Sequence, residues 1–249
     1  NVASSSNAVG GGVYARNGLH VLDSTISYNS ATGPGYAQGG GFHANGTISI
    51  YGSTISGNDA DSTGGGFVAG YISGLRVSNS TISGNRAGEV AGAMVHATTS
   101  TVVESTIAWN VSRYGSRASG MYFSDVHYLR SSIFAYNTSP DGPNDVTSQS
   151  DVIDGSHNLI NATTNSVPLD TIHGCPKLGP LANNGGSTLT HAIGNGSPAM
   201  NAGVAYEAND QRGVGFPRVI GPAADIGSYE NQGGIHDSIF HNNFDVNCS

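Results

Sequence analysis

The chain reads as an all-β protein, a right-handed parallel β-helix, on three observations. A short phrase recurs: Ser24-Thr-Ile-Ser-Tyr-Asn29, Ser53-Thr-Ile-Ser-Gly-Asn58, Ser80-Thr-Ile-Ser-Gly-Asn85, Ser105-Thr-Ile-Ala-Trp-Asn110 and the worn copy Ser132-Ile-Phe-Ala-Tyr-Asn137. Its leading serines are offset by 29, 27, 25 and 27 residues, a period that marks a solenoid whose repeats pack only on their neighbours. A glycine-rich anchor precedes each phrase, as in Gly10-Gly-Gly-Val-Tyr-Ala15, Gly39-Gly-Gly-Phe-His-Ala44 and Gly64-Gly-Gly-Phe-Val-Ala69. Between the two anchors lie short alternating stretches, Leu19-His-Val-Leu22, Ile48-Ser-Ile-Tyr51 and Leu75-Arg-Val-Ser78, which are strand signals. No segment keeps a helical apolar period for three turns.

Each element follows from stacking. Rungs of a parallel β-helix lie about 4.8 Å apart, so like residues sit over like residues. Ile26, Ile55, Ile82, Ile107 and Phe134 are expected as one inward stack, and Val13, Phe42, Phe67, Met94 and Met121 as another. Asn29, Asn58, Asn85, Asn110 and Asn137 are expected to form a buried amide ladder at a turn, since an amide both donates and accepts. Thr25, Thr54, Thr81 and Thr106, beside Ser27, Ser56 and Ser83, are expected to form an outward column on an exposed face. A leucine-rich repeat is disfavoured because no Leu-x-x-Leu-x-Leu frame exists.

Composition bounds the function. Only 10% of residues are charged, with Lys177 the single lysine, and the net charge is −8. That excludes the basic stripe that nucleic acid requires. No apolar run reaches transmembrane length. The chain starts mid-pattern, almost on a glycine anchor, so a longer precursor is expected, with its N-terminal part as a partner of the first rung. The cysteines are Cys175 and Cys248. They are read either as one disulfide pinning the tail or as two free thiols.

Three regions are expected: regular rungs over 1–138, a less regular β-helix continuation over 139–230, and a tail over 231–249. The second region carries Gly155-Ser-His-Asn-Leu-Ile160, Cys175-Pro-Lys-Leu-Gly-Pro-Leu181, Gly196-Ser-Pro-Ala-Met-Asn-Ala-Gly203, Asp210-Gln-Arg-Gly213 and Asp225-Ile-Gly-Ser-Tyr-Glu230. These phrases resemble the choice-of-anchor Q domain of bacterial secreted β-helix proteins, and the repeats resemble those of polymorphic outer-membrane proteins. Family members usually carry Asp where Cys175 stands, which supports a private disulfide here. The resemblance implies a secreted or cell-surface bacterial protein and implies no reaction.

Several constellations are candidates for chemistry. Arg113, Tyr114, Arg117, His127 and Arg130 crowd the fourth and fifth rungs. β-Elimination on an acidic glycan needs cations to neutralise a uronate and a base to take its α-proton, which these residues are of the type to supply. The plain alternative is a solvated loop, with Arg130 paired to Glu104 on the next rung. Tyr28, Trp109 and Tyr136 share one column and are candidate carbohydrate-stacking residues. Asp141, Asp145, Asp151 and Asp154 are the candidate ligands for calcium. No other cofactor is required. Asp23, Gly52, Asn79, Glu104 and Ser131 share a column without the paired carboxylates of a glycosidase. The histidines show no zinc spacing.

The functional expectation is an extracellular or cell-surface scaffold, adhesin-like, contacting polysaccharide or another surface ligand. The alternative is a polysaccharide lyase using the Arg/Tyr/His patch.

Overall fold

The computed structural model describes residues 1–233 apart from Ser73, Ser116, Asp125 and Val126. All described regular elements are strands, and they stack into a parallel β-solenoid of about six turns. Each rung contributes one short strand to each of four sheets. The first sheet begins with Val2–Ser4, Ser30–Thr32 and Asp59–Ala60; the second with Val13–Ala15, Phe42–Ala44 and Phe67–Ile72. The third begins with Leu19–Leu22, Ile48–Tyr51 and Leu75–Ser78, and the fourth with Thr25–Ser27, Thr54–Ser56 and Thr81–Ser83. No helix among the described residues is long and apolar enough to cross a membrane.

In-register pairing builds the core. Ile26, Ile55, Ile82, Ile107, Phe134 and Ile160 stack in the fourth sheet. The second-sheet stack runs Val13, Phe42, Phe67, Ala93, Met121 and Val146. Met94 therefore does not belong to it, contrary to expectation. It pairs with Val68 and Tyr122 on the outward column, because the anchor Ala91-Gly-Ala93 places its third residue inward. The rings of Phe42 and Phe67 stack at 4.7 Å with 5° between their planes.

Two corners of each rung need a left-handed residue. Between the third and fourth sheets stand Asp23, Gly52, Asn79, Glu104 and Ser131, and between the fourth and first stand Tyr28, Gly57, Gly84, Trp109 and Tyr136; all have φ between 44° and 65°. That conformation is uncommon outside glycine, so it persists only where neighbouring rungs hold it.

The Asn ladder supplies the hold. Each Oδ1 accepts both the main-chain N–H and the Nδ2–H of the Asn one rung earlier, at 2.8–3.1 Å from Asn29 to Asn137. Nδ2 of Asn58, Asn85, Asn110 and Asn137 also donates to the carbonyl of Ile26, Ile55, Ile82 and Ile107. A serine ladder runs parallel to it: Ser53, Ser80, Ser105 and Ser132 each accept the N–H of the preceding serine through Oγ. Asp145 and Asn158 end the two ladders by accepting from Asn137 and Ser132. The glycine anchor fits the same crowding: a Cβ on Gly40 would lie 2.3 Å from the Asp59 carbonyl.

Region 139–230 divides. The solenoid continues through Val146–Ser148, Asp154–Ser156 and Leu159–Ile160, and two isolated parallel bridges, Val152 with Ser166 and Leu159 with Ile172, begin one more rung. Beyond this the chain stops stacking. Leu178–Ala182 and Thr190–Ile193 pair antiparallel, and residues 188–231 lie back along the fourth sheet. Rung stacking thus covers the first third of this region, and the later phrases contact the side of the solenoid.

Replacing Asn85 by Ala should destabilise the protein by about 1–3 kcal/mol, since it strands the Asn58 N–H and the Ile55 carbonyl in the interior. Asn209→Ala should cost much less, because Asn209 meets Asn79 through its main-chain carbonyl. Urea unfolding midpoints of the two variants check this.

Candidate functional site

The fourth sheet's outward Thr column is exposed at Thr25, as expected, but buried from the second rung on: Thr54 and Thr81 are 0% accessible and Thr106 1%. The folded-back segment reads it residue by residue. Thr54 Oγ1 donates to the Leu189 carbonyl at 2.6 Å, and Thr81 Oγ1 to Gln211 Oε1 at 2.6 Å. Gln211 Nε2 donates to Thr54 Oγ1 and Thr188 Oγ1, each at 3.0 Å, and the Ser228 N–H to Thr106 Oγ1 at 3.0 Å. His191 Nε2 meets Ser83 Oγ at 2.8 Å.

Behind these contacts lies a buried charge cluster. Arg212 pairs with Asp210 at 2.6 Å and lies between the rings of Phe216 and Tyr229, 4.1 and 3.9 Å from their centres. Arg218 bonds Asn79, pairs with Glu104 at 3.3 Å and donates to the Gly227 carbonyl. Glu104 thus faces Arg218. Arg130, its expected partner, lies over the rings of Tyr128 and Tyr206. Burial holds the Glu104 and Asp225 carboxyls above their usual range and lifts Glu230 to about 7.

The Arg/Tyr/His group is spread around the rungs. Arg113 follows the first-sheet strand Val111–Ser112, where it pairs with Asp59 and donates to the Ala60 carbonyl at 3.0 Å. Tyr114 is exposed beside it. Arg117 leans on Tyr122 of the second sheet, 5.3 Å from its ring. Arg130 ends the third-sheet strand His127–Arg130; the side chain of His127 lies outside the described part. The aromatic column also divides. Tyr28 is 82% accessible, whereas Trp109 stacks on Tyr136 at 4.8 Å and against His191 at 4.5 Å, and both pack on the apolar cluster of Leu178, Ile193 and Tyr229.

The four aspartates do not converge. Asp145 is the ladder's buried end, accepting from Asn137 and the Ala162 N–H, and burial lifts it to about 6. Asp141, Asp151 and Asp154 are exposed. No group of three or more His, Cys, Asp or Glu among the described residues is placed to hold a metal ion. Cys175 is in a disulfide and lies 3.4 Å from the Tyr136 hydroxyl; Cys248 lies outside the described residues.

Sequence reasoning missed the outward face of the second sheet. One column holds Tyr14, His43, Val68, Met94, Tyr122 and Thr147 in register. Tyr14 lies 5.6 Å from the His43 ring, and Arg16 stands over Tyr14 at 6.0 Å. In the third rung Gly70 and Tyr71 form a β-bulge between the pairs Ala69–Val95 and Ile72–Ala97. Tyr71, at φ 36°, is 94% accessible and stacks on His96 at 5.9 Å. Bulges re-aim side chains and recur beside functional sites. The signal was spacing: Phe42 to Ile48 spans six residues, and Phe67 to Leu75 eight. Comparison with protein-family models, curated proteins and solved structures finds no match to the chain.

The clasp over the fourth sheet makes a pH prediction. Burial holds the His191 imidazole neutral down to about pH 4, below its ordinary 6.5. A lowered histidine contributes stability that is complete above pH 6.5 and lost as pH falls towards 4. A displacement of this size corresponds to about 3 kcal/mol. Asp145 and Glu230 act with the opposite sign, losing stability as pH rises towards about 6 and 7. The difference in unfolding free energy between the parent and His191→Gln cancels them. It should be flat from pH 8 to 6.5 and should shift against the parent below 6.5, as read from urea midpoints across the range.

Proposed function

We propose that this chain is a β-solenoid scaffold of the extracellular or cell-surface kind, adhesin-like, whose second-sheet face contacts carbohydrate or another surface ligand. One observation carries the reading. The fourth sheet is covered from its second rung on by the chain's own segment, whereas the second sheet displays Tyr14, His43, Tyr71 and His96 on a rigid, ladder-held surface. Aromatic faces backed by polar groups suit sugars, which offer C–H faces and hydroxyls together. The resemblance of the C-terminal phrases to an anchor domain supports a bacterial surface setting. It also fits the use of those phrases here as a clasp on the solenoid.

The lyase reading has less support. It needs several cations around one uronate, and Arg113 is engaged by Asp59 and Ala60, while Arg117 leans on Tyr122 of the second sheet and Arg130 ends a strand of the third.

Native gels cast with acidic or neutral polysaccharides should retard the parent protein. Parallel incubations should show no growth of the ultraviolet absorbance of an unsaturated uronate. Growing absorbance would make the chain a lyase, and free migration in every gel would remove carbohydrate from the proposal.

A further inference from the structure

The bulge in the second sheet makes a notch. Gly70 is its floor: a Cβ there would lie 2.9 Å from Asn45 Oδ1 and 3.3 Å from His43 Nε2. An amide and an imidazole therefore converge over a position kept free of side chain. The other ring nitrogen of His43, Nδ1, is buried without a hydrogen-bond partner. Next to Gly70 in the chain, the Tyr71 ring rests on His96 of the following rung and is 94% accessible. Burial keeps His43 and His96 below the usual imidazole range, the nearby Arg117 adding to the effect at His96. Each ring then offers one donor and one acceptor near neutrality.

Charge distinguishes this strip from the rest of an anionic chain. Its two outward columns, Tyr14 to Thr147 and Arg16 to Gln149, contain no acidic residue. Arg16 stands at the first rung and Arg117 beside Tyr122 at the fifth. Four rung spacings separate them, about 19 Å along the axis. Among the described residues neither forms an ion pair.

We infer that the Gly70 notch is the sugar-binding subsite of this face, and that its ligand is an acidic glycan lying along the solenoid axis. The inference rests on the carbohydrate reading above. One sugar ring stacks on Tyr71 with its hydroxyls on His43 and Asn45, and carboxylates further along the glycan meet Arg16 and Arg117 through charge-assisted hydrogen bonds.

The test titrates the parent protein with a galacturonate hexamer and follows the imidazole carbon–proton resonances by NMR. His43 and His96 should shift saturably. Tyr71→Ala should weaken binding about tenfold or more with circular dichroism and melting unchanged, since Tyr71 is exposed, and Tyr71→Phe should restore most of it. Arg16→Gln with Arg117→Gln should weaken binding and flatten its salt dependence. Binding of the hexamer with both histidines silent, or undiminished in Tyr71→Ala, would overturn the notch and leave the carbohydrate reading standing. Equal binding of a neutral glucose hexamer or of a polyglutamate peptide would overturn the acidic-glycan assignment. Parent protein that binds no glycan at all would end both readings.

Discussion

Everything in this molecule depends on one constraint: successive rungs must meet in register with a left-handed residue at two corners of each turn. The asparagine ladder meets that constraint. It satisfies the main-chain groups that the corner turns inward, and each amide closes the accounts of the rung before it. Because every member both donates and accepts, the ladder is cooperative along the axis. Tyrosine, tryptophan and glutamate are held in a conformation that glycine takes more readily. The solenoid can therefore vary what it displays at a corner without altering its course.

The same regularity creates a hazard that the C-terminal segment removes. A flat column of Thr and Ser on a parallel sheet offers hydroxyls at one rung spacing to anything of matching period. Here the chain covers that column itself from Thr54 on. Gln211 spans Thr54, Thr81 and Thr188, and Ser228 closes on Thr106. Arg212 and Arg218 sit behind these contacts among Glu104, Asp210, Asp225 and Glu230. A buried ion pair adds little net stability, but removing one partner is costly. Such a cluster thus fixes where the segment docks more than how tightly.

With most of one sheet covered, the second sheet is a displayed face. The second sheet carries rings and imidazoles on rigid strands, and at its Gly70–Tyr71 bulge an aromatic ring is thrust almost wholly into solvent. A repeat protein can place a ligand site by locally breaking its own period. The break costs backbone strain at Tyr71, and the flanking regular rungs hold it.

The sequence by itself determined the rungs, the Ile and Asn stacks and the all-β class, because each is a local pattern repeated at fixed spacing, and stacking turns sequence spacing into spatial contact. It also placed Asp23 to Ser131 and Tyr28 to Tyr136 in their corner columns. It misplaced Met94, since a one-residue slip in a strand exchanges inside for outside. Only the tertiary structure decided that the Thr column is covered from Thr54 on, that Trp109 and Tyr136 pack beneath the clasp, that Glu104 faces Arg218, and that Arg113, Arg117 and Arg130 are engaged at different places around the rungs. These facts join residues about 40 to 160 positions apart, or set near neighbours around a corner. No period in the chain records them, because they follow from where a non-repeating segment finds complementary hydroxyls, charges and apolar surface on the solenoid's side.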